Sequence, residues 1–223
     1  MSRMKTTSTR SPRQSLARRR QLTIRMSNAA LSPCGQYRYQ LVRVWDWNKP
    51  LLSWILLNPS VADAETDDAT VRRLIGFADD HGFGGIVVRN VFAWRATDPC
   101  ALGRAVDPIG VDNSRYLQAA AWHEVTVLGW GAHGDRYPQQ IARTVATIVR
   151  ACQRRGTQLA VLEWTAGGQP KHPLRLPADT QLDIIDLAAP RDGMDVRWRA
   201  LLSLADRAPE VDSGKETGTR VAA

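Results

Sequence analysis

Apolar residues recur in short, nearly continuous runs that are separated by longer amphipathic segments. The runs are residues 51–57, 86–92, 125–129 and 159–162, preceded by an alternating segment at 38–45. The segments with helical periodicity are residues 69–81, 111–123 and 137–155. Continuous apolar runs are typical of strands buried on both faces. Strands that alternate with helices predict an α/β fold, a three-layer α/β/α sandwich around a mostly parallel sheet of four or five strands.

Polar residues and glycines follow each apolar run. The motif Asn58-Pro59-Ser60 follows the first run, and Asn90 lies at the end of the second. The segment 129–131 closes the third, and a glycine-rich turn leads from the fourth to residues 172–174. Parallel strands end at one edge of the sheet, and ligands of open α/β sheets bind there. The pattern predicts a pocket with few charges and several hydrogen-bonding groups, although Asn-Pro also occurs in ordinary turns.

The positive charge of the chain is concentrated at its N-terminus. The formal net charge is +8 at pH 7, and residues 1–25 hold eight basic residues and no acidic one. The rest of the chain holds 22 basic and 22 acidic residues and is neutral. We expect disordered polar tails at 1–30 and 208–223 around a single domain at 31–207. The basic tail fits a nucleic-acid-binding arm, a transit peptide, or translation from a start upstream of Met26.

Three cysteines, Cys34, Cys100 and Cys152, have no paired spacing. That spacing disfavours a disulfide scaffold, a zinc site and an iron–sulfur cluster, so we predict no metal and no cofactor. No apolar stretch has the length of a membrane span, and no signal-peptide core is present. The sequence therefore predicts a cytoplasmic protein that does not associate with membranes.

The order of the four motifs resembles that of the uracil-DNA glycosylase superfamily. Residues 86–94 resemble its "LLLNxVLTV" strand, 127–133 its "LLWGxxA" strand, and 172–174 its "HPSPLS" loop. Asn58-Pro59-Ser60 is similar to the Asn-Pro-Gly of the mismatch-specific branch. The resemblance implies a glycosylase-like sandwich and an enzyme that hydrolyses the bond between a base and its sugar in DNA repair or modification.

The resemblance also implies roles for individual residues. His172 would donate a hydrogen bond to the departing base as a neutral imidazole, and Asn90 would read the base edge. Asn58 would position the attacking water, since an amide is a poor general base at neutral pH. The other candidates for contact with substrate are the turn residues and two aromatic side chains that could stack on a base: Pro59, Ser60, Trp94 and Trp130.

Charged residues after the first motif form a second candidate set. Asp63 could supply the carboxylate that Asn58 lacks, a hypothesis that rests on proximity along the chain. Arg72 and Arg73 could bind phosphate at the pocket mouth. Alternatively, Asp67 and Asp68 cap a helix in which Asp68 pairs with Arg72.

The chain is more similar still to a bacterial family of unknown function, the domain of unknown function 1643. The segments that carry this resemblance are 32–35, 37–39, 57–60 with 62–64, 67–73 and 172–174. The resemblance spans roughly residues 32–187 and implies the fold rather than an activity.

Three functional hypotheses follow from the sequence. The first is an enzyme that recognises and excises a base in nucleic acid without a metal. The second is a hydrolase of a free nucleoside or nucleotide, which the neutral body would suit. The third is a module that binds a base or nucleotide and releases nothing.

Overall fold

A computed structural model describes residues 22–60 and 62–208. The strands are β1 (Met26–Leu31), β2 (Arg38–Val44), β3 (Leu51–Leu56), β4 (Gly85–Asn90), β5 (Val125–Leu128), β6 (Gln158–Val161) and β7 (Asp183–Ile185). The helices are α1 (Ala69–Asp80), α2 (Asn113–Gln118), α3 (Pro138–Arg155) and α4 (Val196–Arg207). Short 3-10 turns include Ala119–Trp122, Ala132–Arg136 and Pro173–Arg175. Within the described ranges, no helix combines the length and the apolar character needed to cross a membrane.

The seven strands form one mixed sheet in the order β1-β2-β4-β3-β5-β6-β7. The four central strands are parallel, whereas β1, β2 and β7 pair antiparallel to their neighbours. The prediction of an α/β fold is confirmed, whereas the expected mostly parallel sheet of four or five strands is in fact a mixed sheet of seven, with three parallel and three antiparallel pairings. β7 has three residues, and β1 is an edge strand without a buried residue, so neither contains an apolar run that the sequence pattern could reveal. The glycosylase-like sandwich stays a prediction.

Helices pack on both faces of the sheet and create two cores. Alternate residues of β3 separate them, with Leu52, Trp54 and Leu56 on the face covered by α1 and Ile55 on the opposite face. Residues of α2, α3 and α4 fill the second core, where Trp198 of α4 is 1% exposed. The buried strands were predicted because both of their faces are apolar.

The segment predicted as one helix at 111–123 is α2 followed by a 3-10 turn. The hydroxyls of Thr126 and Thr157 donate to the carbonyls of Ala120 and Ala121 at 3.1 and 2.8 Å. These bonds satisfy carbonyls that would otherwise need helical partners. The chain can therefore leave the helix early and enter β5.

The tails predicted from composition lie largely outside the described residues. Residues 1–21 and 209–223 fall there, together with Val61. Inside the described part, β1 begins at Met26, within the range 1–30 that composition assigned to the tail. Its residues pair with β2 from Met26↔Val44 onward. The sheet thus includes residues that the sequence pattern placed before the domain.

Candidate functional site

The sheet has a topological switch point between the neighbouring strands β3 and β5, where the connections that follow the two strands diverge to opposite faces. The chain leaves β3 toward α1 on one face and leaves β5 toward α3 on the other. Such a divergence opens a crevice at the carboxyl ends of the two strands. Asn58 follows β3, and Gly131 follows β5 after two residues, so both lie at this edge.

Asn58 is held between the loops that follow β3 and β4. Its Nδ2 donates to the Ala96 carbonyl at 2.7 Å and to the Pro59 carbonyl at 3.2 Å. The backbone amide of Ala96 also donates a hydrogen bond to the Pro59 carbonyl, at 2.9 Å. The orientation of the Asn58 amide is therefore fixed, and among the described residues no hydrogen bond uses its Oδ1.

Asn90 is buried at the end of β4 with its hydrogen-bonding capacity unused. It is 1% exposed and lies in register with Leu56 on the face that α1 covers. Neither its Nδ2 nor its Oδ1 has a partner among the described residues. Buried amides are nearly always hydrogen-bonded, so an unpaired donor and acceptor side by side need an explanation. A ligand edge or an ordered water would satisfy both.

His172 lies over the carboxyl end of β5. A Cβ added to Gly131, whose φ is +76°, would approach the His172 Cβ to 3.1 Å. A Cβ on Gly129 would meet the rings and methyl groups of Pro173 and Leu56 at 3.3 Å. The two glycines therefore let the loop of His172 close onto the strand ends, on the face that holds Leu56 and Asn90.

The protonation state of His172 is set by burial and by one hydrogen bond. Desolvation lowers the pKa of His172 from 6.5 to about 4, against an opposing effect of Asp68. Its Nδ1 accepts a hydrogen bond from the Leu174 amide at 3.3 Å. An imidazole that is neutral and accepts at Nδ1 carries its proton on Nε2. His172 is thus a neutral donor at physiological pH.

Helix α1 directs its N-terminus to the same edge. Asp68 caps it, accepting a hydrogen bond from the Val71 amide at 2.8 Å. Burial lowers the pKa of both His172 and Arg38, and the Asp68 carboxylate opposes that effect in each case. Arg38 is 3% exposed, and its Nη1 donates to the Ala62 carbonyl at 2.6 Å. Burial nevertheless lowers the pKa of Arg38 to about 10.

Sequence reasoning did not include Arg38 among the site residues. The available signal was a charged residue at the start of an otherwise alternating strand, which is costly to bury without a partner. The same signal marks Arg89 in β4, which is 3% exposed. In the sequence, Arg38 is the first residue of the alternating segment 38–45, and Arg89 interrupts the apolar run 86–92.

The charged residues after the first motif have structural partners. Asp63 Oδ1 accepts the amides of Glu65 and Thr66 at 3.0 and 2.9 Å. These bonds lower the pKa of Asp63 and tie it to a turn. Arg72 donates to the Asp67 carbonyl at 2.5 Å, so the bond goes to main chain rather than to the Asp68 carboxylate.

Arg73 and the aromatic candidates lie against neighbouring protein atoms. The Arg73 guanidinium stacks 4.6 Å from the Phe77 ring centroid and donates to the Leu176 carbonyl. Trp130 is 1% exposed in the core on the α3 face, where its Nε1 donates to Gln169 at 2.7 Å. Trp94 is partly buried against the same core. Trp130 therefore lies on the opposite face of the sheet from Asn90, whereas Arg73 is bound to the loop that follows His172.

Pro59 and Ser60 follow β3 and therefore lie at the carboxyl edge of the sheet, where their place in the sequence predicts them. Pro59 is buried, and its carbonyl receives the bonds from Asn58 and Ala96. Ser60 is half-buried beside it. Among the described residues, no group of three or more His, Cys, Asp or Glu side chains could hold a metal ion.

A family model described as a protein of unknown function (DUF1643) matches residues 38–174. The chain belongs to the DUF1643 family. No curated protein and no solved structure matches it. The family segment begins at Arg38 and ends at Leu174, so it includes Asn58, Asn90 and His172. Strands β1 and β7 and helix α4 lie outside it.

The half-buried histidines His123 and His172 of this DUF1643 protein predict a pH-dependent stability. Desolvation lowers the pKa of both His123 and His172 from 6.5 to about 4. The unfolded chain therefore binds more protons between these values, and stability falls as pH decreases from about 6.5 to about 4. Each histidine contributes at most roughly 1.4 kcal/mol per pH unit. Urea unfolding across this range measures the slope.

The double variant His123→Gln/His172→Gln is the control for that measurement. Its slope between about pH 6.5 and 4 should be clearly smaller than that of the parent chain. The carboxylates with lowered pKa, such as Asp195 at about 2, lose their stabilising effect below about pH 5 in both proteins, so the difference between the two slopes reports the histidines. Histidine resonances of residues 123 and 172 that titrate near pH 6.5 would contradict the prediction.

Proposed function

We propose that the carboxyl-edge site of this DUF1643 protein binds a nucleobase and that the protein hydrolyses the bond between that base and its sugar. The observation that carries the proposal is the buried, unpaired amide of Asn90. An amide presents one donor and one acceptor in a plane, which is the pattern of a base edge. A base that binds there would satisfy both atoms at once.

His172 supports cleavage in addition to binding. As the bond breaks, negative charge develops on the departing base, and a fixed donor stabilises that charge. The Nε2–H of a neutral imidazole meets this need, and the Nδ1 bond from the Leu174 amide keeps the proton on Nε2. His172 lies over the end of β5, which is two strands from β4 and its Asn90. The base would occupy the crevice between them.

Asn58 suits the positioning of the attacking water. Its Nδ2 is engaged with the Ala96 and Pro59 carbonyls, so its Oδ1 has a defined direction. The oxygen can accept a hydrogen bond from water but cannot take its proton at neutral pH. Catalysis would then depend on stabilising the departing base, and the rate would be lower than with a carboxylate at this position.

Binding without cleavage is the second candidate function. The observation that favours it is the state of Asp63, the nearest carboxylate along the chain. Two amides hold Asp63 in a turn and lower its pKa. A carboxylate that is engaged and weakly basic is a poor general base. A module that recognises a base or nucleotide needs Asn90 but no base catalyst.

The cellular setting is also a proposal. The three cysteines are free, with Cys34 and Cys100 exposed. Exposed thiols persist in a reducing compartment, which supports the cytoplasm. A substrate in nucleic acid would connect the protein to DNA repair or modification, whereas a free nucleoside would connect it to nucleotide hydrolysis.

The test is the release of free base by the full chain. Duplex and single-stranded oligonucleotides would carry uracil, hypoxanthine, mismatched thymine or a hypermodified pyrimidine, and the free nucleosides would be assayed beside them. We expect one substrate to yield free base, detected by mass spectrometry. Binding of one base without release would replace hydrolysis by recognition. Neither binding nor release with any substrate would contradict the proposal.

A further inference from the structure

A groove of about 540 Å³ lies on the opposite face of the sheet from Asn90. It is lined by side chains of β2, α2, the following 3-10 turn and the end of α3, among them Gln40, Arg115, Tyr116, Trp122, Arg154 and Arg155. Trp122 and Arg155 lie just before β5 and β6 begin. The groove is therefore at the amino edge of those strands, away from His172 at their carboxyl edge.

The charge of the groove is positive and uncompensated. Three arginines line it, and none of its described lining residues is Asp or Glu. Behind Gln40 lies Arg89, which is 3% exposed. Arg89 donates to Gln40 Oε1 at 2.8 Å and to Ser53 Oγ at 3.3 Å, both neutral, and its Nε has no partner among the described residues. A buried cation without a counter-ion favours an anion nearby.

Two aromatic rings in the groove each make a cation–π contact with an arginine guanidinium. Arg155 lies 5.1 Å from the centroid of Trp122, and Arg115 lies 5.3 Å from that of Tyr116. Trp122 is 73% exposed, which is unusual for so large an apolar side chain. Because Tyr39 stacks on Tyr116 with the ring centroids 5.2 Å apart, Trp122 is the ring in this groove that offers an open surface to an unpaired base. Arg115 and Arg154 line the same groove and can bind phosphate.

We propose that this groove binds a nucleoside phosphate, with its base stacked on the exposed ring of Trp122 beside Arg155 and its phosphate held by Arg115 and Arg154. The volume accommodates a ligand of nucleotide size. Such a unit can be a free nucleotide or part of a single strand. The inference does not depend on the proposed function, because it uses a different face of the sheet and none of the same residues.

The test compares matched variants of the full chain by fluorescence anisotropy with labelled oligo(dT) and with a labelled nucleoside monophosphate. Trp122→Ala should weaken binding roughly 10-fold or more, whereas Trp47→Ala removes a tryptophan that is 60% exposed elsewhere and should leave it unchanged. Both variants retain the basic N-terminal segment, so that segment cannot produce the difference. Binding of the monophosphate alone would identify a free-nucleotide site.

A second pair of variants tests the phosphate contacts. Arg115→Gln/Arg154→Gln should reduce the slope of log affinity for oligo(dT) against log salt by about 1.4, while Arg104→Gln/Arg199→Gln should leave it nearly unchanged. Equal affinities for the two tryptophan variants, with folding verified by circular dichroism, would overturn the proposal. Equal competition by inorganic phosphate, or tighter binding of an acidic peptide that depends on Trp122, would overturn it as well.

Discussion

Replacing His172 with alanine is expected to reduce base release by a factor of roughly 10² to 10³ while the protein stays folded. The loss follows from removing a donor that is aligned before the reaction begins. Its Nδ1 is held by the Leu174 amide, and burial keeps the ring neutral by lowering the pKa to about 4. Single-turnover rates on the substrate found in the panel measure the change, with the affinity for substrate determined separately.

Two further variants separate catalysis from structure in that experiment. His172→Gln keeps a side-chain N–H donor and should recover part of the rate, which a purely structural role would not predict. His133→Ala removes an exposed histidine from the neighbouring 3-10 turn, and we expect it to retain the parent rate. A His172→Ala protein that is folded and cleaves as fast as the parent would exclude His172 from the reaction.

The sequence predicted those parts of the fold that depend on local apolar patterns. Strands β3 and β4 were evident because both of their faces are buried, and α1 because Asp68 caps it before an amphipathic segment. The order of the strands in the sheet could not be predicted from these local patterns. Strand β4 separates β2 from β3, although the chain enters β3 directly from β2. Pairing of this kind depends on long-range packing rather than on turn chemistry.

The same distinction applies to the candidate site. The position of Asn58, Asn90 and His172 at one edge follows from the parallel order of the strands, which the alternation of strands and helices predicts. The direction of each side chain depends on its position within the strand and its loop. Trp130 continues the alternation of β5, so its side chain lies in the core on the α3 face. It therefore cannot stack on a ligand at the opposite face of the sheet. Hydrogen bonds to main chain likewise engage Asp63, Arg72 and Arg73.

Substituting Asn90 by leucine is expected to stabilise the ligand-free protein and abolish its binding of a base. Leucine has the same number and branching of side-chain heavy atoms as asparagine but no polar atoms, and it is larger, an increase in volume that the control variant below shares. Since neither amide atom of Asn90 has a partner among the described residues, the substitution removes a desolvation cost of about 1–3 kcal/mol without breaking a hydrogen bond. Urea unfolding measures the first effect, and equilibrium binding of the substrate base measures the second.

Asn113→Leu is the matched control, because Asn113 is 0% exposed and its Nδ2, unlike that of Asn90, has hydrogen-bond partners, while the Oδ1 atoms of both residues have none among the described residues. Its Nδ2 donates to the carbonyls of Asn90 and Val91 at 3.1 and 3.0 Å. The same substitution there should destabilise the protein by about 1–3 kcal/mol, since it leaves two buried carbonyls without those bonds. Opposite signs at two buried asparagines would mean that Asn90 is retained for a ligand and not for the fold. If Asn90→Leu destabilised the protein as much as Asn113→Leu, a buried water would be the partner of Asn90, and the nucleobase site would lose its main support.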